Sequence, residues 1–240
     1  MRNFVLFIGI ALIASSCFDA PQFPDTPKIT FKNIIFKDLA SSPDSLILFV
    51  DFEDGDGDLG LDPSEIAEPY NQKHYYSNKT GEKFNFNTET SEDLMVLANL
   101  SEIDSLPPFS GDAKCFHWDT NPELFFEDGT QLTDTVYFQF NKRFNNIYVT
   151  YLVDRGSGFQ VFDWRKEVDC STNYDGRFPL LNQDGKTRAL EGTIKYGMVS
   201  VGFKSLFKDD RMKLRITILD RSGNYSNTVE TPPFRLSEID

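Results

Sequence analysis

The sequence predicts an all-β chain folded as an antiparallel sandwich. Aromatic residues make up 14% of its 240 residues, and 23 of them are Phe. Together with abundant Val, Ile and Thr, they favour sheet over helix. Short apolar or alternating segments recur between turn-forming residues, and no long helical period competes with them. With 40% hydrophobic residues, the chain is long enough for one large domain or two small ones.

Two strands are expected before the chain becomes irregular. Residues 28–37 alternate polar and apolar side chains at both ends, which predicts a first strand. A Ser-Ser-Pro-Asp turn follows at 41–44. Residues 46–52 are apolar on both faces, which predicts a second strand in the middle of a sheet.

The region from about 66 to 134 is predicted to be a long insertion after the second strand. Residues 70–87 fit a polar hairpin with its turn at Thr80 and Gly81. Residues 94–97 fit either a strand or part of a short capped helix. The β character of the surrounding sequence favours the strand.

After residue 134 the strands become regular and define the architecture. Turn-forming residues recur between them at short intervals, as in antiparallel sandwiches. We therefore predict one immunoglobulin-like antiparallel β-sandwich over residues 28–240, with the insertion inside it. The strands expected in this part are 135–141, 147–153, 159–164, 191–201, 212–219 and 228–234.

An acidic, glycine-rich run follows the second strand directly. Six carboxylates fall between Asp51 and Asp62, and like charges at two-residue spacing repel each other. A hard cation with oxygen ligands relieves that repulsion, and Ca²⁺ is the ion that such a set of carboxylates favours. The alternative is a solvated turn that binds no ion.

The spacing of these carboxylates resembles that of a twelve-residue calcium loop. Position 6 of the loop is Leu59, where the sharp turn of an EF-hand needs Gly, and no helical pattern precedes it. We therefore predict a calcium loop on a β-scaffold rather than an EF-hand. Positions 1, 3, 5, 9 and 12 are the predicted ligands Asp54, Asp56, Asp58, Asp62 and Glu65.

A second connection is expected to lie beside this loop. If residues 46–52 and 212–219 are strands B and F of the sandwich, the acidic run begins the B–C connection and residues 220–224 form the F–G turn. These two connections lie at the same end of an immunoglobulin-like fold. Asp220 is therefore expected to complete the metal site or to buttress it. The alternative is that the turn is a plain hairpin.

The N-terminal residues have the pattern of an export signal. A short basic start is followed by an apolar run at 4–13, too short to span a bilayer, and then by Ala-Ser-Ser-Cys. This ending resembles a bacterial lipobox, so residues 1–16 are predicted to be removed and Cys17 to carry a lipid. The proline-rich segment 17–27 is then an extended tether. The alternative is an ordinary secretory signal in which Cys17 has no role.

The two remaining cysteines form an even pair in a chain predicted to be exported. A disulfide between Cys115 and Cys170 is therefore expected, because oxidising compartments favour such bonds. It would close a loop of roughly 55 residues and stabilise the fold by about 3–4 kcal/mol. The alternative is two free thiols buried in the core.

Composition and motifs disfavour several classes of function. A net charge of −13 repels the phosphate backbone, so no nucleic-acid partner is expected. His74 and His117 fall in no catalytic signature, and the sequence has no nucleophile elbow or phosphate loop. Paired carboxylates for glycoside hydrolysis stay open as an alternative, but the sequence offers no way to choose the pair.

Several segments resemble lipoproteins of Bacteroidota. The resemblance covers most of the mature chain and implies an outer-membrane location with an immunoglobulin-like fold, but the family has no settled activity. Only Asp19 stands where outward-facing members carry an acidic tract, so the periplasmic and cell-surface faces both stay open. The similar segments are 52–61 (FEDGDGDLGL), 176–179 (GRFP), 190–196 (LEGTIKY) and 220–229 (DRSGNYSNTV).

In the same phylum, Asp-(Ser/Thr)-apolar triplets accept O-linked glycans. The matching positions here are Ser45, Ser105 and Thr135. Taken together, these patterns predict a non-catalytic accessory or binding lipoprotein of the outer membrane, stabilised by calcium. It would dock a protein or a glycan, in one version as a subunit of an outer-membrane transport or assembly complex. The alternative is an exported glycan-active hydrolase that uses acidic residues.

Overall fold

The structure, a computed structural model, consists mostly of antiparallel strands, which confirms the predicted all-β sandwich. The described residues are 21–38, 43–97, 106–107, 109, 115–120, 122–125, 129–200, 202–207 and 209–239. Their strands, in chain order, are β1 (Lys28–Lys37), β2 (Asp44–Asp54), β3 (Lys73–Tyr75), β4 (Trp118–Thr120), β5 (Thr135–Phe140), β6 (Ile147–Asp154), β7 (Phe159–Phe162), β8 (Leu190–Ser200), β9 (Arg211–Ile218) and β10 (Val229–Glu230). 

The first sheet has the order β1-β2-β8, with β2 at its centre. Its side chains are buried on both faces: Leu46, Leu48 and Val50 on one, and Ile47 on the other. Both edges of β2 are paired, and its residues from Leu46 to Val50 are all apolar and at least half-buried. The prediction of a central second strand is confirmed.

The second sheet has the order β10-β9-β6-β7. Strand β9 alternates strictly, since Met212, Leu214, Ile216 and Ile218 are fully buried while Arg215 between them is exposed. The inward residues of both sheets form one shared core, so the two sheets pack face to face. The strand orders correspond to A-B-E and G-F-C-C′ of an immunoglobulin-like sandwich.

Two short helices close one part of this core with aromatic rings. They are α1 (Trp164–Glu167) and α2 (Phe203–Phe207). The rings of Trp164, Phe203 and Phe207 surround the fully buried Tyr151 at centroid distances of 5.1 to 6.3 Å. Such ring pairs contribute roughly 0.5–1.5 kcal/mol each beyond the area they bury.

The third sheet, of order β3-β5-β4, is built mainly by the insertion and has its own small cores. Strand β5 pairs with β3 and β4 rather than with β6, so this sheet extends past residue 134 to Phe140. The expected turn of the polar hairpin forms at Gly81, where φ is +70°. Residues 94–97 contribute two isolated bridges and no continuous strand.

Two of the predicted strands are shorter than expected. Residues 159–164 give only β7, because Trp164 begins α1. Residues 228–234 give only the two residues of β10, since Pro232 and Pro233 have no N–H for the ladder. The chain rejoins β9 at Phe234, whose N–H donates to the Met212 carbonyl at 2.9 Å.

The expected disulfide between Cys115 and Cys170 is formed, with the two Cα atoms 5.1 Å apart. It joins the insertion to the segment that follows α1, across 55 residues of sequence. On the chain-entropy argument, a loop of that length stabilises the fold by about 3–4 kcal/mol. Among the described residues, every helix is too short or too polar to cross a bilayer.

Candidate metal centre

Three carboxylates of the acidic loop converge where β2 ends. Asp54 is the last residue of β2, and Asp56 and Asp58 follow on the loop. Each offers an oxygen that lies within 4.8 Å of an oxygen of the other two. We call these three residues the acid cluster. A single cation fits between oxygens at such distances, because Ca²⁺ binds oxygen at about 2.3–2.6 Å.

Glycines allow the loop to fold tightly against the segment 179–188. Gly57 and Gly60 have φ values of +70° and +102°, which other residues rarely adopt. A Cβ at Gly57 would lie 2.3 Å from the carbonyl oxygen of Arg188, and one at Gly60 equally close to that of Pro179. The loop is therefore specified by its glycines as well as by its carboxylates.

Four carboxylate oxygens of the acid cluster are buried and have no hydrogen-bond donor among the described residues. Asp54 has no exposed surface, and among the described residues neither of its carboxylate oxygens has a hydrogen-bond partner of normal geometry. The same holds for Oδ1 of Asp56 and Oδ1 of Asp58. A buried carboxylate without a partner destabilises a fold by several kcal/mol unless it binds a proton or a cation, so this arrangement favours the uptake of one or the other.

Burial and repulsion between like charges raise pKa values within the acid cluster. Burial, and after it the charges of Asp56, Asp58 and Asp220, raise the pKa of Asp54 to about 7. Burial also raises the pKa of Asp56, with the charge of Asp58 as the next cause. The backbone N–H of Asp58 opposes both shifts without forming a normal hydrogen bond. Repulsion and desolvation therefore dominate in the protein without metal.

The F–G turn lies beside the acid cluster, as the topology predicts. The backbone N–H and the hydroxyl of Ser222 both donate to Oδ2 of Asp58, at 2.8 and 2.7 Å. Asp220 is buried, and its two oxygens accept the backbone and side-chain N–H groups of Asn224. Asp220 thus contributes charge and holds the turn, while its own oxygens are already hydrogen-bonded.

Two of the predicted ligands are directed elsewhere. Asp62 accepts hydrogen bonds from the N–H and hydroxyl of Ser64, at 2.8 and 2.5 Å, which lower its pKa. Glu65 forms a two-pronged ion pair with Arg221, both contacts at 2.7 Å, and this guanidinium lowers the pKa of Glu65. In this structure Asp62 and Glu65 therefore lie outside the acid cluster, and their role as ligands stays a prediction. An EF-hand has a helix after its loop that directs position 12 towards the ion. No such helix follows this loop in the described residues, and Glu65 at position 12 contacts Arg221 instead.

Asn182 is a candidate ligand that sequence reasoning missed. It lines a small groove of about 300 Å³ together with Asp56 and Asp58. Its Nδ2 donates to the Lys186 carbonyl at 2.6 Å, whereas its buried Oδ1 has no partner among the described residues. Amide oxygens are common calcium ligands. Because Asn182 lies far from the acidic run in sequence and in an ordinary polar turn, no spacing pattern identifies it.

Arginine side chains connect the end of the sandwich that carries the acid cluster to the base of the insertion. Arg177 donates to the carbonyls of Glu65 and Tyr70, at 2.8 and 2.9 Å. The Tyr70 ring also lies under the guanidinium carbons of Arg143 and Arg221, at 5.5 and 5.3 Å. The chain between the acidic loop and β3 is therefore held by side chains from the C, F and G region of the sandwich.

The other predicted site residues fall in different places. Thr135 is buried at the start of β5 with its hydroxyl donating to Thr120 at 3.2 Å, which contradicts its assignment as a glycan acceptor in the folded protein. Ser45 is half-buried in the central strand β2. Cys17 with the signal 1–16, and Ser105, lie outside the described residues.

The histidines show no catalytic geometry among the described residues. His117 stacks on Tyr137 with the ring centroids 6.0 Å apart, as expected of a packed residue. His74 contacts Glu68 at 3.5 Å, and burial lowers the pKa of this imidazole.

Comparison with known proteins finds no matching family model, no similar curated protein and no similar solved structure.

Proposed function

We propose that this protein is a non-catalytic, lipid-anchored accessory lipoprotein of the outer membrane, whose sandwich is braced by Ca²⁺ at the acid cluster. In this proposal the braced end supports the insertion, which docks a protein or glycan partner. The observation that carries the proposal is the acid cluster itself, with four buried carboxylate oxygens that lack hydrogen-bond partners among the described residues.

The donor set favours calcium over other common ions. All candidate ligands are oxygens, three from carboxylates and one from the Asn182 amide, and none is sulfur or imidazole. Zinc and copper sites usually contain those softer donors. Magnesium requires near-ideal octahedral geometry, which an irregular loop rarely supplies. Calcium accepts such a loop and takes further oxygens from backbone carbonyls or water.

Three features support an exported, membrane-attached protein. The N-terminal pattern ending at Cys17 is that of a lipoprotein signal. The disulfide is typical of an oxidising compartment. Calcium sites of modest affinity are also more useful outside the cytoplasm, where the free ion is abundant. Replacing Cys17 by Ser should abolish incorporation of radiolabelled palmitate and move the protein out of the membrane fraction.

The calcium site is tested by a matched pair of variants in the same loop. Asp56→Asn removes a ligand, whereas Asp62→Asn removes a carboxylate that the structure places outside the acid cluster. We expect calcium to raise the thermal midpoint of the wild type and of Asp62→Asn by several degrees, and to leave that of Asp56→Asn unchanged. Equal responses of the two variants, or no response of the wild type, would refute the site.

A further inference from the structure

The insertion carries a groove that no part of the calcium site uses. Its volume is about 970 Å³, and its lining includes β3, residues 83–87 of the polar hairpin and residues 119 and 122–124. This volume is at the upper end of the usual range for small-molecule sites. The groove is therefore large enough for a ligand of several linked rings.

The charges in this groove are paired with one another. Lys73 contacts Asp119 at 2.5 Å, and Lys83 contacts Glu68 at 3.2 Å. The lining contains two lysines and three carboxylates, in a chain whose net charge is −13. Two lysines against three carboxylates leave one net negative charge in the groove, so its charges disfavour an anionic ligand.

Aromatic rings form one wall of the groove. Phe86 is 41% exposed, and its ring contacts those of Phe84 and Tyr75 edge-on, at centroid distances of 4.9 and 6.3 Å. Phe84 and Tyr75 are buried, so they hold the exposed ring in position. The hydroxyl of Tyr75 is fixed by a 3.0 Å hydrogen bond to Asp119. The wall is therefore a preformed apolar surface beside polar groups.

Amide side chains lie on the same lining. Gln72 and Asn87 border the groove, as does Asn71, whose amide already donates to the Lys73 carbonyl and accepts from Asn141. An amide offers one acceptor and two donors without charge, which suits a ligand with many hydroxyl groups. The backbone edge of β3 is less available, because the N–H of Phe84 already donates to the Tyr75 carbonyl at 2.8 Å. A peptide that adds as a strand therefore lacks part of the edge it needs.

We propose that this groove binds a neutral oligosaccharide. A sugar ring has an apolar C–H face that packs on an aromatic ring such as Phe86, and hydroxyl groups around its rim that hydrogen-bond to amides and carboxylates. Its lack of charge matches a groove whose ions are already paired. The proposal rests on the proposed function in that it names the partner of the accessory protein, and it places that partner on the third sheet.

The test uses the full chain, purified in mild detergent with calcium. Binding of neutral gluco-, manno- and xylo-oligosaccharides is measured by calorimetry alongside a charged oligogalacturonate. We expect at least one neutral series to bind, and the oligogalacturonate to bind at least tenfold more weakly. Absence of binding by every neutral series, or preference for the charged one, would overturn the proposal.

Variants of Phe86 locate the site. Phe86→Ala is expected to weaken binding at least tenfold, Phe86→Leu to weaken it similarly, and Phe86→Tyr to retain it because the ring is kept. Tyr225→Ala is the matched control, since Tyr225 is 45% exposed and does not line the groove. A wild-type affinity in Phe86→Ala would refute the groove as the site.

The failure of this inference is distinguishable from failure of the calcium site. Each variant is also checked for its calcium-dependent rise in thermal midpoint, which Phe86→Ala should retain because the ring of Phe86 packs on Tyr75 and Phe84 in the insertion. Sugar binding that depends on Phe86, without any calcium response, would support the groove as the sugar site and refute the calcium site. A calcium response without sugar binding would support the calcium site and refute the groove.

Discussion

The acid cluster and the groove of the third sheet differ in whether their carboxylates have partners. In the groove, Asp119 and Glu68 each contact a lysine. In the acid cluster Asp54 is buried, and four carboxylate oxygens, two of Asp54 and one each of Asp56 and Asp58, have no hydrogen-bond partner among the described residues. The difference supports a separate proposal for each region. Buried carboxylate oxygens without partners favour a cation from solution, whereas paired charges favour a ligand that carries no charge.

The largest expected effect comes from Asp54→Asn, and its sign depends on calcium. With calcium at several hundred times its dissociation constant, loss of the site should destabilise the protein by about 3–4 kcal/mol. In chelator the same change should stabilise it at pH 8, by about 2–4 kcal/mol, because it removes a buried, repelled charge. Urea unfolding in the two media measures both values. A loss of stability in both would mean that the cluster needs no cation.

The same variant gives a test by pH. The folded pKa of Asp54, about 7, lies above its ordinary value of 3.8, so the folded state holds the proton more tightly than the unfolded state. Stability in chelator should therefore fall as pH rises from about 4 to about 7 and then level off. The stability difference between Asp54→Asn and the wild type should grow over that window. A constant difference would contradict the assignment of this burial effect to Asp54.

Removal of the disulfide should separate the two regions. The double change Cys115→Ser and Cys170→Ser is expected to lower the free energy of unfolding by about 3–4 kcal/mol. It frees one tie of the insertion but leaves the acidic loop untouched. Calcium affinity should therefore stay within about twofold of the wild type, while sugar binding weakens. Equal losses at both sites would show that the two regions are not independent.

Glu65→Gln tests the arginine connection between the regions. It breaks the two-pronged ion pair with Arg221, worth about 1 kcal/mol because both side chains are partly exposed. The pKa of Glu65 is lowered in the folded state, so this contribution is present above pH 4.5 and is lost as pH falls through the folded pKa. Calorimetry should still detect calcium binding. Complete loss of binding would support Glu65 as a ligand.

The smallest expected effect is that of Asn182→Ala. Loss of one neutral ligand should weaken calcium binding by about fivefold to tenfold, or roughly 1 kcal/mol. In chelator the unfolding free energy should fall by about 0.5–1.5 kcal/mol, because the change also removes the hydrogen bond from Nδ2 of Asn182 to the Lys186 carbonyl. The control is Asn182→Asp, which keeps an oxygen at the position and should bind calcium at least as tightly. An unchanged affinity in Asn182→Ala would exclude it as a ligand.

Sequence patterns predicted the sandwich because its information is local. Strand β9 alternates buried and more exposed residues, which predicts a strand with one face in the core. The apolar run in β2 predicts a strand in the middle of a sheet. The meeting of the acidic loop with Asp220 also followed, because topology places those two connections at one end. These were predictions about neighbours along a strand or about a known fold, and the structure confirms them.

The parts that sequence did not predict depend on contacts between distant segments. Strands β3 and β4 have three residues each, too few to show a period, and pair only through β5. Glu65 fits the calcium spacing but meets Arg221, 156 residues later, which no local pattern reveals. Likewise, no local pattern reveals that Asn182 lines a groove together with Asp56 and Asp58. Spacing identifies which residues have the right chemistry, whereas long-range packing decides which of them meet.

The most direct test of the unpaired acid cluster is a crystal structure grown in calcium, with data collected to show the anomalous signal of that ion. The account predicts one anomalous peak at about 2.3–2.6 Å from oxygens of Asp54, Asp56 and Asp58, with Asn182 Oδ1 turned towards it. Glu65 should remain paired with Arg221. Carboxylates that point apart into solvent, with no peak between them, would contradict it.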